Sequence, residues 1–256
     1  MAQSDNVLKS VDTVFKIIKH LETRGGTTVT ELASEREMPK STAQVYLNTL
    51  HANGLVVKDD GEYKIGLRFL KYGMHALWNQ QVFPRVRDKV DELAESTGEL
   101  ASCFVEERGD AVYIYGTEGS QAIRTDLSIG DRSGLHCTAS GKAILANLPQ
   151  QRIDTLLDVE SFQALTDQTI VEPETLRDEL ETIRERGFAY SHQESVKGMR
   201  AVAAPISIED HVVGSISLAG PANRFVGDRF ERELPEIVTG AANEMELKLT
   251  YSESGL

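Results

Sequence analysis

Two cysteines, Cys103 and Cys137, are all that the 256 residues contain. That is too few for a disulfide framework, and neither Cys-x-x-Cys nor Cys/His spacing marks a zinc site. No metal and no cofactor are expected. No apolar run approaches the ~18 residues that a membrane helix requires, and the opening MAQSDNVLKSVD lacks the basic end, apolar stretch and cleavage site of a secretory signal. A cytoplasmic protein with no membrane partner is therefore expected. Lysine is scarce as well, at 11 residues, and acids outnumber bases 40 to 27 for a net charge of −13. Such a composition resembles that of proteins from salt-accumulating halophiles, in which carboxylates hold the hydration shell; loss of folding at low salt is the matching expectation.

A net charge of −13 argues at first against a polyanion partner, but the charge is unevenly spread. Residues 1–80 carry ten Lys and Arg against nine Asp and Glu, whereas the remainder carries 17 against 31. A head of net charge +1 on a body of −14 keeps DNA away from the body and leaves the head free to dock. The length suits two domains, and 40% hydrophobic with 26% charged residues is a globular composition.

Val11, Val14, Phe15, Ile18 and Leu21 share one helical face, and Gly25-Gly26 ends that first helix. Thr28-Val-Thr-Glu31 reads as a capping box that opens a short second helix. Pro39-Lys-Ser41-Thr-Ala-Gln44 supplies a second start signal, with Tyr46, Leu47 and Leu50 on the buried side and Asn53-Gly54 as the stop. Two short helices, the second exposing Lys40, Ser41, Thr42, Gln44 and Asn48, fit a helix-turn-helix whose last helix enters the major groove. Leu55–Lys58 and Glu62–Ile65, joined by Asp60-Gly61, form the hairpin wing. Candidate DNA contacts are Thr28, Lys40, Ser41, Thr42, Gln44, Tyr46 and Asn48 from the helices and Lys58, Lys64 and Arg68 from the wing and its exit. The expected divisions are residues 1–68 for the winged helix-turn-helix, 69–83 for a linking helix whose apolar face runs from Leu67 through Leu70, Met74 and Leu77 to Trp78, and 84–256 for the larger domain.

From Pro84 the pattern mixes helix and strand. A helix with Val86, Val90, Leu93 and Ala94 stops at Gly98; Ala101–Glu107 and Ala111–Thr117 flank Gly109-Asp110 as a hairpin; Gln121–Leu127 reads as extended. Ala139–Leu148 and Pro173–Arg186 read as helices, and Phe188–Glu194, Met199–Ile208 and Val212–Ala219 as strands. A last helix carries Leu234, Ile237, Val238, Ala241, Ala242, Met245 and Leu249. The fold class is α+β.

Polar chemistry gathers in Leu135–Ala143, in Tyr190–Glu194 with Gly198–Arg200, and in Ser215–Gly220, and the enzymatic readings of the first two fail. Ser140-Gly-Lys142 lacks the glycine spacing and hydroxyl of a phosphate loop, and His192-Gln-Glu194 lacks the downstream Pro-Cys-x-x-Cys of zinc deaminases. Cys137 beside His136 lacks an orienting third group, so a pocket-lining or core thiol is expected instead of a nucleophile. The loop entering a helix at Thr138–Gly141 can hold an anion on its free N–H groups or be an ordinary cap. Ser217, on an alternating strand, faces either in or out.

The chain resembles the IclR family of transcription regulators from end to end. Lys9–Ile18 resembles the family's opening helix, Met38–Thr42 with Leu47–Leu50 and Asn53–Val56 its recognition helix and turn, and Tyr63–Arg68 the end of its wing. Leu135-His136 with Ala139–Ala143, Gly187–Tyr190 with Glu194, Gly198 with Ala203–Ile206, and Ser217–Pro221 resemble its effector-domain motifs. The resemblance implies a GAF-like effector-binding domain, dimers or dimers of dimers on palindromic double-stranded DNA operators, and a small metabolite, often an organic acid, as signal. Matching positions place Ala139, Ser140, Ser191, Met199, Ala201, Ser217 and Ala219 in the effector pocket, with Cys137 nearby. Where many relatives carry arginine in the recognition helix, this chain has Val45. Ser191, Ala201 and Ala219 are smaller or less polar than in some relatives. The resulting function is an effector-modulated DNA-binding regulator; the alternatives are a winged-helix protein adaptor or an enzyme acting on the pocket ligand.

Overall fold

A computed structural model describes residues 7–253. Helix α1 (Lys9–Arg24) ends on Gly25 at φ +75°, where the Gly25 N–H reaches the Leu21 carbonyl. Ile17 and Leu21 are fully buried on it and Val14 and Ile18 pack against the same core, but Val11 and Phe15 are 46% and 65% exposed. The apolar face expected of this helix is therefore wider than its buried stripe. Helix α2 (Val29–Glu35) begins with the expected reciprocal box, in which the Glu31 N–H donates to the Thr28 hydroxyl and the Thr28 N–H donates to the Glu31 carboxylate.

Helix α3 (Lys40–Ala52) corrects the expected start signal. Its cap is Pro39, with no side-chain hydrogen bond, and Ser41 and Gln44 lie inside the helix. Proline at this position fixes the entry of the chain into the helix but offers no side-chain acceptor to the first-turn N–H groups. Strands β1 (Val56–Asp59) and β2 (Glu62–Ile65) join through Asp60 and Gly61, both at positive φ, as the tight-turn reading expected. Tyr63 of β2 is buried with Leu32, Leu47, Leu50 and Val56, which fastens the wing to the three helices. Helix α4 (Arg68–Trp78) follows, and the chain divides into two compact units after Leu77.

In the second unit, α5 (Phe83–Thr97) carries Pro84 in its first turn and ends on Gly98 at φ +74°. Strands β3 (Leu100–Glu107) and β4 (Asp110–Glu118) turn through Arg108 and Gly109, one residue earlier than the sequence suggested, because both adopt positive φ. Gln121–Leu127 forms no strand; the next one is β5 (Arg132–Gly134). Helices α6 (Ala139–Ala146), α7 (Gln150–Leu157) and α8 (Pro173–Arg186) precede β6 (Ala189–His192), β7 (Met199–Ile208) and β8 (His211–Pro221). A π-turn at Arg229–Glu233 leads into α9 (Leu234–Glu253). The short α7 had no counterpart in the sequence reading.

The six strands form one antiparallel sheet in the order β5-β4-β3-β8-β7-β6. Helices α5 and α9 pack on one face and α6 on the other. Glu99, wholly buried before β3, is held by Arg224 at 2.5 Å and Arg229 at 3.2 Å. Those charge-assisted bonds fix the segment after β8 to the edge of β3, since a buried carboxylate without partners would be costly.

Candidate functional sites

On the first unit, the exposed side of α3 presents Lys40, Ser41, Thr42, Val45, Asn48 and Thr49, while Ala43, Leu47 and Leu50 face the core. The helix carries no Asp, Glu, Lys or Arg after Lys40. Gln44, expected to reach outward, is half-buried: its amide N–H groups donate to Asn48 Oδ1 at 2.8 Å and to the Tyr63 hydroxyl at 3.1 Å. Gln44 therefore orients Asn48 from behind. Tyr46 is half-buried against the core, and Thr28 is engaged in its capping box. The wing separates its two lysines. Lys58 lies opposite Tyr63 with its ammonium 5.3 Å from that ring, on the α3 side, whereas Lys64 lies opposite Val57 and pairs with Asp59 and Glu62. Arg68 donates to the Asn53 carbonyl at 2.6 Å and so braces the end of α3.

On the second unit, strand register brings together most of the expected effector residues. Ser191 stands opposite Ala201, and Ala201 opposite Ala219; one pair along, Ala203 stands opposite Ser217 and Ser217 opposite Ser102. Directly opposed residues share a face, and Ala201 and Ala203 pack with Ala139 and Ala143 of α6. The face covered by α6 is thus lined by small side chains. Met199 lies on the same alternation at the start of β7. Ser140 is buried in the first turn of α6, next to the Thr138 hydroxyl that accepts the Gly141 N–H. Cys137 sits apart from this row, its thiol donating to the Gly134 carbonyl at 3.2 Å and pushed up to about 11 by burial. Burial thus keeps the thiol in its neutral form near pH 7.

Three residues of this face went unread in the sequence. Ser217 and Ser102 hydroxyls bond to each other at 3.0 Å, so Ser217 points inward with a protein partner. Tyr113 crosses the row: a Cβ on Gly116 would collide with its hydroxyl, and its ring meets Phe104 edge-on at 5.3 Å. Alternation shows that Ser102 and Gly116 lie on some face, but pairing between β3, β4 and β8 decides which. Beside the row, Lys142 donates to Glu194 at 2.8 Å, both almost fully buried, while Glu194 Oε2 has no hydrogen-bond partner among the described residues. The same carboxylate accepts the His192 N–H, and Thr166 and Thr169 hold the Glu194 carbonyl. His136, stacked on Phe162, is held below its ordinary value by burial. A separate groove of about 520 Å³, lined among others by Arg186, Phe188, Pro235 and Asn243, contains none of the expected residues. We take the α6 face as the candidate site because the small and hydroxyl side chains converge there.

A winged three-helix unit followed by this helix-covered sheet defines a helix-turn-helix regulator with a separate sensor-type domain, and comparison with known proteins narrows the class. Residues 74–247 match the family model described as bacterial transcriptional regulator IclR C-terminal, and residues 10–60 match the IclR helix-turn-helix domain. The chain belongs to the IclR family of transcriptional regulators. It is 32% identical to the probable HTH-type transcriptional regulator ArcR of Halobacterium salinarum, over 94% of each chain. The crystal structure of the Thermotoga maritima IclR superposes with a TM-score of 0.82 at 29% identity, covering 94% of this chain and 98% of that one. An IclR homolog from Microbacterium hydrocarbonoxydans, solved in complex with 4-hydroxybenzoate, shares the fold at 20% identity and a TM-score of 0.73, over 88% of this chain and 92% of that one.

Proposed function

We propose that this regulator docks α3 in the major groove of an operator and that a small organic acid, bound between α6 and the sheet, changes its affinity for that operator. One observation carries the DNA half: the outward side of α3 is exposed, polar around Val45 and free of acidic residues. Lys40 and Lys58 supply phosphate contacts at its two edges, and Ser41, Thr42 and Asn48 face base edges. Lys64, already paired with two carboxylates, contributes less than Lys58.

The effector half rests on the row Ser191, Ala201, Ala219, Ser217 and Ser102, whose small side chains leave room once Tyr113 moves. The Ala139 and Ser140 amides at the start of α6, beside the Gly141 N–H already taken by Thr138, and the hydroxyls of Ser140 and Ser217 suit a carboxylate. The 4-hydroxybenzoate seen in the Microbacterium relative is of that class. A ligand changes operator affinity only by favouring one arrangement of the protein over another.

The exposed apolar side chains Val11 and Phe15 of α1 and Leu67 and Leu70 at α4 are covered by a second copy, and a homodimer is the binding species. Light scattering tests the dimer. A mobility shift on the upstream region of the protein's own gene, with random duplex as competitor, tests docking, and a thermal-shift screen of small carboxylic acids tests the pocket. Equal affinity for both duplexes would end the operator reading; no stabilisation by any acid would end the effector reading.

A further inference from the structure

Val45 is 63% exposed on α3, an unusual place for a β-branched apolar side chain in a unit that buries Ala43, Leu47 and Leu50 from the same helix. Its neighbours at helical spacing are Ser41 and Thr42 before it and Asn48 and Thr49 after it, all exposed. Val45 is thus the centre of the outward edge. The Thr49 hydroxyl donates back to the Val45 carbonyl at 2.8 Å, which leaves the Thr49 methyl as the group turned outward. Two apolar groups, one turn apart, sit within a rim of hydroxyl and amide groups.

Beyond Lys40 at its first position, α3 has no charged side chain for base readout. Between Ser41 and Asn53 the sequence offers no arginine or lysine to bridge the two acceptors of guanine. In the major groove, the one apolar feature that a base pair offers is the thymine 5-methyl group. We infer that Val45 is a specificity-determining residue that packs on a thymine methyl, so that α3 prefers a T·A pair at the position facing its centre. The inference rests on the docking of α3 in the major groove proposed above. Asn48, oriented by Gln44 and Tyr63, would read an edge one helical turn away.

The test separates the methyl from everything else that thymine offers. Duplexes enriched by the wild-type protein from a random pool are remade with uracil in place of thymine, one position per half-site at a time. Burying one methyl is worth about fourfold in affinity, so the wild type is expected to lose about fourfold at one position in each half-site. Val45→Ala, with only its Cβ left to reach that methyl, should lose most of the difference between the thymine and uracil duplexes at that position. The substitution sits on an exposed helical surface and favours helix, and circular dichroism checks its folding. A flat uracil scan of the wild type, or an equal loss in Val45→Ala, would overturn the inference while leaving α3 docking intact. Failure to enrich any sequence would overturn the docking proposal and this inference together.

Discussion

The two units solve opposite problems with their polar groups. In the first, polar side chains are gathered on the outside of α3, and the few that turn inward, such as Gln44, orient others. In the second, hydroxyls and charges are folded inside: Ser102 with Ser217, Lys142 with Glu194, and Glu99 with Arg224 and Arg229. The charge imbalance follows the same division, with nearly all the excess acid on the second unit. A near-neutral exposed surface suits the proposed polyanion partner, whereas the buried polar groups of the second unit need partners of their own.

If that contrast is right, removing an interior partner should be far more damaging than changing an exterior one. Lys142→Met should have the largest effect, lowering the stability of the second unit by about 3 kcal/mol in urea unfolding, because Glu194 would be left buried and uncompensated. Little change would mean that Glu194 rotates to solvent. Ser217→Leu should come next, costing about 2 kcal/mol through overpacking against Ser102 and Ala203. It should abolish any thermal shift produced by an acid ligand while operator affinity is retained; loss of both would assign Ser217 to the core alone. Thr28→Ala should remove the capping box of α2 and lower the melting stability of the first unit by about 1 kcal/mol. An unchanged first unit would show that the box is redundant there.

The smallest effect is one of pH. His20 in the first unit and His136 in the second are both buried, and burial holds each below its ordinary 6.5. In the unfolded chain these imidazoles take up protons near 6.5, whereas the folded chain resists. Their contribution to stability is therefore complete above 6.5 and declines as pH falls toward the folded values. Calorimetry should show both units weakening below that point before carboxylates titrate, and His136→Asn should reduce the slope of the second unit alone, leaving the part due to His192, which is lowered by burial as well. A slope untouched by that substitution would place the acid sensitivity elsewhere.

The same contrast explains what the sequence made legible. The elements of the first unit are specified by signals a few residues apart: the Thr28 box, Gly25, and the Asp60-Gly61 turn, each of which acts locally. Even there, Ser41 and Gln44 resembled a cap because the sequence does not show that Pro39 already supplies the turn. In the second unit, strand periodicity located β7 and β8, but Gln121–Leu127 has the residues of a strand without a neighbour to pair with. Ser102 joins the candidate pocket through its pairing with Ser217, more than a hundred residues away, and Gly116 and Tyr113 join it through the β3–β4 hairpin, whose register shift at Cys103/Phe104 no local pattern encodes. Ser191, Ala201, Ser217 and Ala219 were reached by resemblance, and register then placed them on one face.

The most direct test is made on α3 itself. Lys40→Glu places an acid at the edge proposed to meet phosphate, and its affinity for the upstream duplex is compared with that of the wild type across a range of ionic strengths. The account predicts weaker binding at every salt concentration and a log–log salt slope shallower by about 1. Identical curves for the two proteins would show that α3 does not lie against DNA.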